Sequence, residues 1–547
     1  MESRFPLLTL LPCAPRPLVG RGGGGRKNAM VSRGANLPRL RSLASCGGGP
    51  APDDAIMVPE AMAAAVPHLL ALLSDPVGDL CAEAWHDPHL PVRLVKAAAF
   101  FGVPDAEIAS MLELAHHRSS VARAAPEIGR AIAADAAARG AIRSGAAPGA
   151  PALSFLRPVP FGQPLGSVSP SGGGGGGGEA VAPDVPRMLD GLRPPPFRFD
   201  DRGAPFRAPP RSERRFATAA RVAGAVPAAL APVLREFRGH LFVGGGAAAQ
   251  AVLPHLNPVE RQDVDLFVHG LTRAEADALL GRMGECLSPC PVFFTDNAVT
   301  FVLDPGMHSE VVVQVVLRLY ASPDEALLGF DIAASGVMLC AGQEPGSYEA
   351  WGTASFFAAA ATGAVWVDPE RQSASYAWRF LKYWARGFDV LLFGLPPMRR
   401  VAADVFERDN IRAPALQGLA EILRLEHDMA ACLEHSRCRS NPARALHFIT
   451  RLRARLPTSN YEDSAPDYGA LEYASRGGVT RISDDSPVGE TSFTWQTREP
   501  GSQVTGSFAP RKSPFYAGTI TGPNPNSPTS PHAPLSSLPS RFPVPAA

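Results

Sequence analysis

The chain has 547 residues, with 52 basic and 52 acidic side chains and a formal net charge of zero. That balance excludes a whole-chain electrostatic case for nucleic acid or a membrane surface and leaves only local basic patches to consider. About a fifth of the residues are glycine or proline, gathered in tracts, so less of the chain can enter a packed core than its length suggests.

The 8 cysteines lack metal-ligand spacing. Cys286 and Cys290 stand four apart with no second pair and no nearby histidine, and they read as plain thiols. No run of about 18 apolar residues occurs, so no membrane span is expected.

In chain order, residues 1–56 hold arginines and glycines with few acids: Arg4, Arg16, Arg21, Arg26, Lys27, Arg33, Arg39 and Arg41 stand against Glu2 before Asp53. Two readings stay open, an organelle transit peptide or a low-complexity disordered leader. Without targeting, cytoplasm or nucleus is the expected compartment. Residues 57–145 are rich in Ala and Leu at helical spacing and predict a small helical module. Within it, "AAAFFGVPDAEIASMLELA" has the spacing of a helix-turn-helix motif. Its second helix is acidic and lacks the side chains that read bases, so a packing module is the reading.

Residues 146–212, with "SPSGGGGGGGEAVAPDVP" and "RPPPFRFDDRG", predict a Pro/Gly-rich linker. Residues 213–400 alternate helix and strand signals. A helix over "RFATAARVAGAVPAALAPVLREFRG" is followed by a strand "HLFVGG" and a helix "GAAAQAVLPHL". A strand "DVDLFVHG" then precedes a helix from Thr272 with Glu275 as its capping box. A hairpin follows, "PVFFTDN" and "AVTFVL", turning at Asp296-Asn297. After it come a strong strand "EVVVQVVLRLY", a capped turn "SPDEALLGF" and a strand "ASGVMLCAG". Residues 401–460 read as a helical extension. Residues 461–547 read as a disordered Ser/Pro-rich tail, where protein partners could attach. The fold class expected is α+β, a mixed sheet flanked by helices.

The chemistry concentrates in "FVGGGAAAQAVLPHLNPVERQDVDLFVHG". Strand alternation puts Asp263, Asp265, Phe267 and His269 on one face and the core residues Val264, Leu266 and Val268 on the other. Two carboxylates about 7 Å apart on one strand face repel unless a cation sits between them, and Mg²⁺ is the hard cation that carboxylates and phosphates share. Gly244, Gly245 and Gly246 form a side-chain-free turn at a helix start, where backbone N–H groups and the helix dipole favour an anion. The pattern is neither a dinucleotide fingerprint nor a P-loop, because G-x-G-x-x-G and Gly-Lys-Ser/Thr are both missing.

Gly-Gly closing a strand, a helix, then Asp-x-Asp in a strand resembles the polymerase-β-like nucleotidyltransferase superfamily. "DNAVTFVL", "VVVQVVLRLYASPDEALLGFDIAASGVML" and "SASYAWRFLKYWARGFDVLLFGL" look like a little-characterised branch of it in fungi, algae and large viruses. The resemblance spans residues 235–395. It implies transfer of a nucleoside monophosphate from a nucleoside triphosphate (NTP) to an acceptor, with Mg²⁺ on Asp263 and Asp265 and the triphosphate on the glycines. The acceptor is open between RNA, protein and a small molecule. Many members use a third carboxylate. Three readings stay open here: Asp331 in "GFDIAASG", Glu310 at a strand edge, or none, with the amide Gln314 in mid-strand and a catalytically inactive fold as the consequence. Arg318, Arg379, Lys382 and Arg386 are the cations that could meet phosphates, and the last three share a helix face.

Overall fold

The computed structural model describes residues 120–145, 155–165, 213–256, 263–303, 311–373, 375–393 and 488–508, with short pieces at 117, 181–182, 185, 187–189, 422, 425–426, 480–482, 519–520 and 533–534. The leader, residues 57–116 and most of 401–460 lie outside the described residues. The chain divides into two compact units, 1–123 with 513–516 and 124–512 with 517–547. Nearly all the described residues belong to the second.

That unit opens with α1 (Pro126–Arg143) and the short strand β1 (Arg157–Pro158). The long helix expected from residue 215 is broken into α2 (Ala219–Ala225) and α3 (Ala231–Glu236), with Pro227 between them removing a backbone donor. Then come β2 (Leu241–Gly244), α4 (Gly245–Val252), β3 (Val264–His269) and α5 (Arg273–Leu287). The expected capping box starts α5. Thr272 N donates to Glu275 Oε2 at 2.8 Å, and the Thr272 hydroxyl accepts from Glu275 N. β4 (Val292–Phe294) and β5 (Ala298–Leu303) form the expected hairpin. β6 (Val311–Tyr320) is followed by α6 (Pro323–Leu327), capped by Ser322, and by β7 (Val337–Ala341). β8 (Tyr348–Gly352), α7 (Ala354–Thr362), β9 (Ala364–Trp366), α8 (Tyr376–Ala385) and β10 (Asp389–Leu391) complete the central run. Four short strands lie further on: β11 (Thr480–Arg481), β12 (Gln496–Thr497), β13 (Thr519–Ile520) and β14 (Ala533–Pro534).

The main sheet runs β1-β8-β7-β2-β3-β6-β5-β4-β11, with β12 also paired to β6. It is mixed, since β2 pairs antiparallel with β3 while β3 pairs parallel with β6. The architecture is therefore α+β, a large mixed sheet with helices. Three of its strands come from segments that composition places outside the domain. β1 comes from the expected linker, and β11 and β12 come from the expected tail. β6 explains one of them. β5 pairs with it only as far as Val316, so its last residues would be an open edge, and β12 takes Arg318 and Leu319.

Local sequence explains why residues 488–508 leave a tail that is otherwise polar. Trp495 is buried and its Nε1 donates to Asp277 at 2.7 Å. Val488 seats against Gly284 of α5, and Arg498 Nε meets Glu325 at 2.6 Å. A composition window averages these anchors away.

Both faces of the sheet are covered along the middle of β3. Leu266 and Val268 are fully buried on one. On the other, Phe242 and Phe267 stack at 5.4 Å within a cluster that includes Leu156, Tyr320, Leu327 and Met338. The face that carries the aspartates is thus closed along Phe267, while Asp263 and Asp265 at one end of it and His269 at the other are half-buried. Among the described residues, no helix is long and apolar enough to cross a membrane.

One buried carboxylate ties α1 to this unit. Asp135 accepts hydrogen bonds from Ala354 N and Ser355 N, both 3.1 Å, and so caps α7 from another helix. Burial pushes its carboxyl above the ordinary 3.8. The folded chain therefore holds this proton more tightly than the unfolded chain. Taken alone, the group favours folding below about pH 4 and loses that contribution as pH rises through the raised value. Asp135→Asn, measured by denaturant unfolding at both pH values, should gain stability relative to wild type between pH 4 and pH 7.5. An unchanged difference would refute the assignment.

Candidate functional site

β2 ends where α4 begins, and each of the three glycines at that junction has its own physical reason. A Cβ on Gly244 would lie 2.8 Å from the Phe267 ring and 3.3 Å from the Phe242 ring, so the aromatic stack requires its absence. Gly245 has φ +70°, in the left-handed region that favours glycine. A Cβ on Gly246 would lie 2.9 Å from both Nη1 and Nη2 of Arg386 and 3.3 Å from its Cζ. The guanidinium therefore rests on the turn itself. α4 has no side-chain cap, which leaves the first-turn N–H groups of the helix to other acceptors.

Sheet register brings the aspartates to the same place. Gly244 pairs with Asp265, Asp265 with Gln314, and Gln314 with Thr300, one row across four strands. The Asp265 carboxylate approaches the turn closely, with Oδ2 3.5 Å from where a Cβ on Gly245 would sit. Asp263 precedes β3 by one residue on the same side of the strand, and both aspartates are half-buried. A carboxylate and a guanidinium thus flank three glycines and an uncapped helix start.

The four expected cations separate. Arg379 Nη1 forms an ion pair with Asp331 at 2.7 Å, and Arg379 also donates to Ser373 and Ser375 hydroxyls at 2.9 and 3.1 Å. Arg318 Nη1 donates to the Thr505 carbonyl at 2.7 Å, and its guanidinium lies 4.7 Å over the Phe508 ring. Lys382 is half-buried on α8. Arg386, the C-cap of α8, turns to the glycines, is nearly buried, and lies 4.8 Å over the Tyr383 ring. Its Nε is buried without a hydrogen bond. Arg379 and Arg386 are held by specific contacts on α8, which is buried over most of its surface.

Of the candidates for a third carboxylate, Asp331 is buried and engaged with Arg379, in a cavity wall shared with Asp135, Asp368 and Arg371. Burial and the nearby Arg139 lower the Arg371 guanidinium to about 10. Glu310 lies outside the described residues. Among the described residues no group of three or more His, Cys, Asp or Glu gathers to hold a metal ion. Beside Asp265 stands Gln314, half-buried. His269 ends β3, as its position suggested, and burial and the nearby His240 lower its imidazole to about 4. Tyr383, the platform under Arg386, escaped sequence reasoning. The only signal was its spacing three residues before Arg386 on one helix.

Comparison with known proteins adds one relative. No family model matches the chain, and no solved structure matches it. The chain is similar to an uncharacterised protein of Acanthamoeba polyphaga mimivirus, 25% identical over 173 residues, which covers 28% of this chain and 36% of the relative. The match thus spans little more than a third of that relative's length.

A double-mutant cycle tests the separation of the carboxylates. Asp331→Ala and Arg379→Ala should be strongly non-additive in unfolding free energy, with a coupling of about 1 kcal/mol or more. Asp331→Ala and Asp265→Ala should add within about 0.5 kcal/mol. Strong coupling of Asp331 to Asp265 would instead join Asp331 to the aspartate pair.

Proposed function

We propose that this chain binds a nucleoside triphosphate with Mg²⁺ at the glycine turn and acts as a nucleotidyltransferase-like enzyme, passing a nucleoside monophosphate to an acceptor. One observation carries the reading. The Asp265 carboxylate and the Arg386 guanidinium flank Gly245 and Gly246 at an uncapped helix start. An anion gains there from the first-turn N–H groups, from the helix dipole and from a pre-placed guanidinium. A carboxylate pair alongside suits a cation shared with phosphate oxygens.

In this reading Asp263 and Asp265 would hold Mg²⁺, which would supply charge neutralisation for the triphosphate and for the departing pyrophosphate. The residues fit that role as a minimal set, two carboxylates with phosphates and water completing the shell. Gly245 and Gly246 present backbone donors to the phosphates, and Arg386 supplies a fixed cation. The acceptor hydroxyl oxygen attacks the α-phosphorus and gives its proton to solvent water, the bond from that phosphorus to the pyrophosphate oxygen breaks, and pyrophosphate leaves with that electron pair.

A second reading, a catalytically inactive fold that binds the triphosphate without turnover, is favoured by Gln314. It stands in register with Asp265, and an amide cannot take the acceptor's proton. General-base catalysis is worth about 10²–10⁴ in rate, so a chain lacking it would be slow.

Calorimetric titration of the full chain with ATP and GTP, with and without Mg²⁺, tests binding. Binding should need Mg²⁺ and vanish in Asp263→Ala/Asp265→Ala. Arg386→Ala should weaken it about tenfold, the worth of one charge-assisted hydrogen bond. Triphosphates labelled at the α-phosphate then separate the two readings. Released pyrophosphate supports transfer, and binding without it supports the inactive fold. Gln314→Glu should raise any transfer rate by at least about tenfold if a missing base is what limits it. Wild type and the double aspartate variant behaving alike would end both readings.

A further inference from the structure

A cavity lies at the other end of β3 from the glycine turn. It measures about 780 Å³ and opens where β3 and β6 end, with Gly270 and Tyr320 in its wall. Its size falls within the range of small-ligand sites. The six residues of β3 put it roughly 16 Å from the glycine turn, because Gly244 pairs with the strand's other end at Asp265. Four described segments line it: the end of α1, the β3–α5 turn, the end of β6 running into α6, and the stretch from the end of β12 onward.

Its charge is one-sided. Arg143, Arg273 and Arg498 line it, against Glu325 as the sole acid among its described residues. Glu325 is already satisfied, since Arg498 Nε meets Oε1 at 2.6 Å and Ala321 N donates to Oε2 at 2.8 Å. That pair removes Arg498 from the balance and leaves Arg143 and Arg273, both exposed, at the opening. Glu275 stands nearby at the start of α5 but is held by Thr272 N and Oγ1 at 2.8 and 2.7 Å. Ile142, Leu271, Leu319 and Pro500 give the wall an apolar part.

We propose that this cavity binds a small organic anion, with its phosphate, sulfonate or carboxylate head at Arg143 and Arg273 and an aromatic or aliphatic body against Leu271 and Leu319. Two guanidiniums at an opening over apolar side chains select for a molecule with one charged end and one apolar end. The site stands independently of the nucleotide reading, since no residue is shared.

The probe is 8-anilinonaphthalene-1-sulfonate on the full chain, followed by fluorescence. One saturable site is expected. Arg143→Glu/Arg273→Glu should weaken it at least tenfold, while Asp263→Asn/Asp265→Asn leaves it unchanged. N-phenyl-1-naphthylamine, the same body without the sulfonate, should bind at least tenfold more weakly. Equal binding by the charge-reversed variant, equal binding of the neutral analogue, or no saturable site would each overturn the proposal. If the charge-reversed chain fails to fold, Arg143→Gln/Arg273→Gln carries the same test.

Discussion

The pairing of Gly244 with Asp265 is the contact on which the rest of this structure depends. An antiparallel pair aligns the last residue of one strand with the start of the next, so the chain turns into α4 directly beside a carboxylate. A side chain at Gly244 would strike the Phe242–Phe267 stack, and one at Gly246 would strike Arg386. The turn is therefore held from three sides, by an aromatic pair, a carboxylate and a guanidinium. The guanidinium has its own support. Asp331 anchors Arg379 on α8, and Arg386 lies two turns further along the same helix, braced by Tyr383. Asp331, expected as a candidate third carboxylate, pairs with Arg379 on the helix that carries Arg386.

Much of this was legible in the residues. Period-two alternation located β3 and β6 and gave the buried faces of Leu266 and Val315, because one face of each strand is apolar throughout. Thr272 and Glu275 announced the start of α5 through a purely local interaction. The glycines and aspartates could be paired because one short helix between two strands leaves little freedom of placement. Gln314 was visible as an amide among valines, and register then set it beside Asp265.

What stayed illegible depends on contacts distant in sequence. Nothing local in Arg386 distinguishes it from Arg379 or Arg318. Their fates are decided by Gly246, Asp331 and Thr505, each remote in the chain. Strands β1, β11 and β12 escaped for a related reason. Each is two residues long, too short to show a period, and each sits in sequence dominated by Pro, Ser or Gly. Trp495, Val504 and Arg498 were the hints that residues 488–508 are anchored, since buried aromatic and paired charged groups are out of place in a solvated tail. The second face of β3 looked open because its covering residue, Phe330, comes from far along the chain.

The central claim is that the glycine turn and the aspartate pair act together on one metal-bound triphosphate. Mn²⁺ in place of Mg²⁺ tests it most directly, through water-proton relaxation of the full chain with ATP. The account expects a relaxation enhancement that needs chain, nucleotide and metal together and that disappears in Asp263→Asn/Asp265→Asn. The same enhancement in wild type and in the variant, or none in wild type, would contradict it.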